Sequence, residues 1–148
     1  MSTTTRVMRA TPEQVWDVLA DGWLYPLWVV GATRMREVDD AWPAPGARLH
    51  HSVGTWPLTL DDITEVEDSV PGIRLKLNAH AWPVGRADVT ITLGAQGTDT
   101  EVVIEEHAVS GPGSLVPRVA QDPLLTWRNV ESLRRLAFLA ERRVARAA

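Results

Sequence analysis

The order of patterns along this chain predicts an α+β fold: a curved antiparallel sheet of about seven strands wrapped around a long C-terminal helix, with two short helices between the first and second strands. Most of Thr3 to Ala108 alternates apolar and polar residues at period two, as half-buried strands do. From Asp122 to Ala147 the apolar positions Val130, Leu133, Ala137, Ala140 and Val144 recur at helical spacing instead. Length sets the third bound: 148 residues, 45% hydrophobic and 23% charged, suit one domain over 1–148 with a sizeable core and no room for a second. A single helix cannot cover a large bent sheet, so this layout tends to enclose a cavity of the kind that binds small molecules.

Thr3 to Arg9 alternates weakly and is the first strand. Thr11-Pro12-Glu13-Gln14 then places a threonine N-cap, a proline at the first helical position and a glutamine at the third. This is a capping box, and it starts a short helix through Leu19. Asp21-Gly22 ends that helix, and Trp23 to Val30 is a second helical piece closed by Gly31. The remaining strands come in series: Thr33 to Val38, Ala47 to Val53, Leu58 to Glu67, Ile73 to Ala79, Arg86 to Leu93 and Glu101 to Val109. In Ile73 to Ala79 one face holds Ile73, Leu75, Leu77 and Ala79, and the other holds Arg74, Lys76, Asn78 and His80, so that strand is wet on one side. Asp122-Pro123 supplies an N-cap and first-turn pair for the closing helix.

Composition excludes several functional classes. The net charge is −4 and the basic residues are scattered, so there is no electrostatic footprint for nucleic acid. Arg134, Arg135, Arg142, Arg143 and Arg146 cluster near the end, where cations suit a helix C-terminus better than they argue for a membrane surface. No run of about 18 apolar residues marks a transmembrane segment, and Met1 to Arg6 lacks the apolar stretch of a signal peptide. The expectation is a cytoplasmic protein, monomeric or homodimeric. The chain has no cysteine, which removes disulfides, thiol catalysis and most structural zinc sites. Neither GxGxxG, Walker, GxSxG nor HExxH motifs occur, so no cofactor and no metal are expected.

The stretches Ala10-Thr11-Pro12-Glu13-Gln14-Val15-Trp16, Trp28-Val29-Val30-Gly31 and Trp42-Pro43-Ala44-Pro45-Gly46 carry a family likeness, as do Gly97 to Val102, Glu105-Glu106-His107, Pro123-Leu124-Leu125 and Arg128-Asn129. In their order and spacing the chain resembles the polyketide cyclase/dehydrase and lipid-transport family of the START-related helix-grip superfamily. The resemblance covers nearly the whole chain. It implies a helix-grip fold that binds hydrophobic or amphipathic small molecules, with some members cyclising, aromatising or dehydrating bound polyketides.

If the apolar half of each strand faces inward, Leu49, Val53, Leu60, Leu75, Leu77, Ile91, Ile104 and Leu133 form the walls of a chamber. Trp28, Trp56, Trp82 and Trp127 are mouth or wall candidates, although tryptophan in an apolar pattern is more often core. Parity carries three polar residues inward with the walls: Glu106 with Val102 and Ile104, His51 with Leu49 and Val53, and Asp62 with Leu60 and Val66. A carboxylate in such a chamber has a raised pKa and can serve as general acid or base, unless an arginine pairs with it, the commoner case. On the last helix Asn129 shares the inward stripe with Leu133, Leu136 and Ala140, while Arg128, Arg135 and Arg142 are expected to point outward.

The leading expectation is therefore a carrier or binding protein for a small hydrophobic or amphipathic molecule held between sheet and helix. The alternative is a polyketide-type cyclase, aromatase or dehydratase in which Glu106, His51 or Asp62 moves protons and Asn129 orients a carbonyl. With one tyrosine in the chain, Tyr25, phenol-based acid catalysis has little to draw on. A co-chaperone or dimer module presenting a sheet edge is a third class.

Overall fold

Seven strands hydrogen-bond into one antiparallel sheet in the order β1-β7-β6-β5-β4-β3-β2. The computed structural model describes residues 2–53, 60–81, 85–110 and 118–147. The strands are β1 Ser2–Met8, β2 Ala32–Val38, β3 Arg48–Val53, β4 Leu60–Val70, β5 Arg74–Ala81, β6 Gly85–Gln96 and β7 Asp99–Ser110. From β2 to β7 the chain is a meander of neighbours, and β1 adds to the free side of β7. Two short helices, α1 Pro12–Ala20 and α2 Tyr25–Trp28, lie between β1 and β2. The chain then closes with α3, Arg118–Ala147.

Local chemistry explains the boundaries of the short helices. The Thr11 hydroxyl accepts from Gln14 N–H and the Gln14 side chain accepts from Thr11 N–H, so the capping box is complete. Asp21 ends α1 and its carboxylate accepts from Trp23 N–H, which winds Gly22–Leu24 into a 3-10 turn leading to α2. The segment from Trp23 to Val30 is thus a 3-10 turn followed by a single α turn. The peptide before Pro43 is cis, and the Trp42 indole N–H donates to Leu19 O at 3.2 Å, which ties the loop after β2 to α1.

The closing helix differs from its expected start. It begins at Arg118, so Pro123 sits inside it instead of in its first turn. Proline there lacks the backbone donor aimed at the previous turn and its ring crowds the carbonyl of that turn, and it lies on the exposed side. Val130, read as part of the apolar stripe, is on the exposed side as well, and the buried stripe is Asn129, Ser132, Leu133, Leu136, Ala137 and Ala140. That stripe faces β1, α1 and α2, with a lighter contact to β7.

The core joins both layers. Leu49, Leu75, Leu77, Ile91 and Ile104 from the sheet form one buried cluster with Leu133, Leu136, Ala137 and Ala140 from α3. Ile73, expected on the inner face of its strand, lies in the turn before β5 and is exposed. Among the described residues no helix is long and apolar enough to cross a membrane.

Gly22 lies tight against the sheet. A Cβ on it would lie 2.6 Å from a Leu49 methyl and 2.7 Å from a Val38 methyl. Gly22→Ala is therefore expected to destabilise the protein by about 1–3 kcal/mol through overpacking, read as a lower urea midpoint with unchanged m-value.

Candidate functional site

Five elements bring polar side chains into the apolar interior. Strand parity places three of them: His51 alternates with Leu49 on β3, Thr64 with Val66 on β4, and Glu106 with Ile104 on β7. Tyr25 comes from α2, and Arg128 and Asn129 from α3. His51 is 1% exposed, Glu106 3% and Asn129 4%.

Two linked motifs organise the group. The Thr64 hydroxyl lies 2.7 Å from His51 Nε2 and 3.5 Å from the Tyr25 hydroxyl. A threonine hydroxyl has one proton and two lone pairs, so Thr64 can donate to only one of these neighbours and can accept from either. The Tyr25 ring also stacks at a tilt on the His51 ring, with centroids 5.5 Å apart. Asp62 stands directly opposite His51 in the β3–β4 pairing and is half-buried. The second motif is an ion pair in which the Arg128 guanidinium donates to the Glu106 carboxylate, their side chains only 16% and 4% exposed.

Burial dominates the electrostatics. It raises the pKa of Glu106 above the usual carboxylate range, and Arg128 opposes that shift without cancelling it. Burial also raises the Tyr25 phenol, with Thr64 and Arg128 pulling it down and Glu106 and Asp62 pushing it up. Arg128 and Glu106 are thus near enough for their charges to bear on Tyr25.

Further polar atoms lie at the seam between β1 and α3. Ser2 is buried, pairs with Glu106 in the β1–β7 register, and its hydroxyl lies 3.1 Å from that of Thr126. Thr4 faces inward on the same strand. Thr4 Oγ1 and Asn129 Nδ2 have no hydrogen-bond partner among the described residues.

The expected walls Leu49, Leu75, Leu77, Ile91, Ile104 and Leu133 are all buried, as is Trp28. Val53 and Leu60 sit in β3 and β4, but their side chains fall outside the described residues, as do Trp56 and Trp82 entirely. Two expectations are corrected. Trp127 is 62% exposed on the outer side of α3 and cannot be a wall. Arg128 does not point outward; it lies at the flank of the buried stripe, from which its long side chain reaches back to Glu106. Tyr25, Thr64, Ser2 and Thr4 were not among the sequence candidates. Thr64 shares the parity of Asp62 and Val66, so its inward position had a signal, whereas Tyr25 and Arg128 are placed by tertiary contact.

Among the described residues no group of three His, Asp or Glu side chains is arranged to hold a metal ion. An open depression of about 480 Å3 lies elsewhere, lined by Asp17, Asp21, Trp23, Val38, Asp39 and Trp42 among others, and shares no residue with the buried group.

A bent antiparallel sheet gripping a C-terminal helix, with polar groups facing that helix, defines a helix-grip protein. The chain belongs to the polyketide cyclase / dehydrase and lipid transport family, whose family model matches residues 2–141. No curated protein matches the sequence closely enough to be counted as a relative. Among solved structures it is similar to a protein from Nitrosomonas europaea, at 15% identity and TM-score 0.74, covering 97% of this chain and 95% of the other. It is similar to the di-domain ARO/CYC StfQ from the steffimycin biosynthetic pathway at 11% identity and TM-score 0.70, covering 97% of this chain and 51% of that one. Ara h 8.0201 matches at 11% identity and TM-score 0.67, with 93% and 95% coverage. At such identities the likeness concerns the fold.

Arg128→Met is expected to cost about 3–5 kcal/mol at pH 8, because it leaves the buried Glu106 carboxylate without its counter-charge. Glu106 then titrates higher still. The deficit is full above that raised pKa and shrinks as pH falls through it, since a protonated Glu106 needs no partner. Urea denaturation of both proteins at pH 8 and pH 5 checks this, and an equal deficit at both would contradict it.

Proposed function

We propose that the protein binds a small hydrophobic or amphipathic molecule between the sheet and α3, as a carrier or binding protein. One observation carries this: side chains of Tyr25, His51, Thr64, Glu106, Arg128 and Asn129 converge from five elements where a solid core would place apolar ones. Polar groups in such a place cost stability unless each finds a hydrogen-bond partner, and Asn129 Nδ2 has none among the described residues. The apolar residues Leu75, Leu77, Ile91 and Leu133 would receive the ligand's hydrocarbon, at roughly 25 cal/mol per Å2 of area removed from water. The polar group would fix its orientation. Family membership supports the same reading, and we take residues 1–148 as a single helix-grip domain. We place the protein in the cytoplasm, as a monomer or homodimer, with no cofactor.

A second reading, a cyclase, aromatase or dehydratase, is favoured by one feature, the raised pKa of Glu106 beside the His51–Thr64–Tyr25 chain. Burial raises the pKa of that carboxyl above its ordinary value, toward the range where a side chain can both take and give a proton, as acid-base chemistry on a bound carbonyl compound requires. The solved structure of the ARO/CYC StfQ shares the fold and lends this reading some weight.

Native mass spectrometry of freshly purified protein is expected to show added mass that leaves on denaturation. In thermal shift, a ligand at about 100 times its Kd adds about 2.7 kcal/mol, or about 5–10 °C for a domain of this size. If no hydrophobic probe shifts the melting temperature at all, the binding proposal fails. For the enzyme, Glu106→Gln should lower turnover by about 100-fold or more while retaining binding. A variant that turns over normally removes Glu106 from the chemistry.

A further inference from the structure

The seam between β1 and α3 can be levelled from two contacts. Ser2 meets Thr126 at one end, and Arg9 N–H donates to Glu141 at 3.0 Å at the other. Seven strand steps at about 3.3 Å and fifteen helix steps at about 1.5 Å both span roughly 23 Å, so strand and helix run in step. Thr4, two residues beyond Ser2, therefore lies level with about residue 130 of α3. Asn129 is within one position of that level and on the buried stripe.

Two buried polar atoms that lack partners among the described residues, Thr4 Oγ1 and Asn129 Nδ2, thus lie at one level of this seam. Thr4 is 8% exposed and Asn129 4%, so water does not readily serve them. An amide nitrogen only donates, and a threonine hydroxyl can donate as well. Two donors at one level, inside an apolar layer, complement a single oxygen with two lone pairs. The cationic charge nearby is already engaged, because Arg128 is bound to Glu106. A carboxylate ligand would bring a second negative charge beside Glu106, and the cation described there, Arg128, is already paired.

We infer that Thr4 and Asn129 form a subsite for a neutral carbonyl oxygen, such as that of a ketone, and that the ligand's polar end is uncharged. This rests on the binding function proposed above and adds to it the chemical class of the bound head group. Leaving the site empty has a cost: each unpartnered buried donor destabilises the ligand-free protein.

The test uses the full chain and ten-carbon probes that differ only at the head, 2-decanone, decanoate and decane, each displacing the neutral fluorophore N-phenyl-1-naphthylamine. Decanone should bind about tenfold or more tightly than decanoate at pH 7, and more tightly than decane. Asn129→Leu and Thr4→Val should each erase most of the advantage of decanone over decane, leave decane binding intact, and leave the melting temperature of the ligand-free protein equal or higher. Decanoate binding as well as decanone would overturn the subsite, because Arg128 would then be exchanging Glu106 for the ligand. So would a lowered ligand-free melting temperature in both variants, since it would mean that these atoms have structural partners. Decane and decanone binding alike would remove the subsite while sparing the binding function. Failure of all three probes to displace the fluorophore, or of the fluorophore to bind, would overturn both.

Discussion

The carboxylate of Glu106 persists inside this protein because Arg128 reaches it from the helix. An ionised carboxyl alone in an apolar interior loses several kcal/mol of hydration, and protein dipoles alone seldom replace it. The guanidinium supplies charge and hydrogen bond together, from α3 to β7 across the interior. The pair is not a strong net stabiliser, since desolvating two ions offsets much of their attraction. What it contributes is registration: the helix must sit where Arg128 meets Glu106, and that position sets Asn129 on the inner stripe and carries Ser132 to the backbone N–H of Val30.

The rest of the polar group is set by the strands and the short helices. β3 and β4 pair with His51 opposite Asp62 and Leu49 opposite Thr64, so the Thr64 hydroxyl falls diagonally beside the His51 ring. The turn after α1 lowers Tyr25 onto the same ring. Gly22 permits this descent, because any side chain there would meet Leu49 and Val38. The chemistry of the interior is thus held by strand pairing, one tight corner and one ion pair, and each lies on a different stretch of the chain.

The exterior follows other rules. Glu131 accepts from both Arg134 and Arg135 on the outer face of α3, which draws its pKa down to about 2. Arg142 lies over the Phe138 ring at 5.0 Å. Exposed pairs like these contribute little to stability, and they account for part of the arginine cluster near the C-terminus without any partner.

By itself the sequence determined the architecture: seven strands, two short helices and a closing helix all follow from periodicity, a complete capping box and turn residues, which act over a few neighbouring residues. Parity likewise sent His51 and Glu106 inward and held Thr64 in step with Val66. It did not determine where α3 begins, because Asp122-Pro123 reads as a start although the helix runs from Arg118. Nor did it place Arg128, Tyr25 or Thr4 at the site. A flank arginine, a tyrosine in a one-turn helix and a threonine in a weakly alternating strand have no local signature of burial. Only the tertiary fold brings their distant partners within reach, and hydrogen bonds and ion pairs between remote segments leave no trace in local pattern.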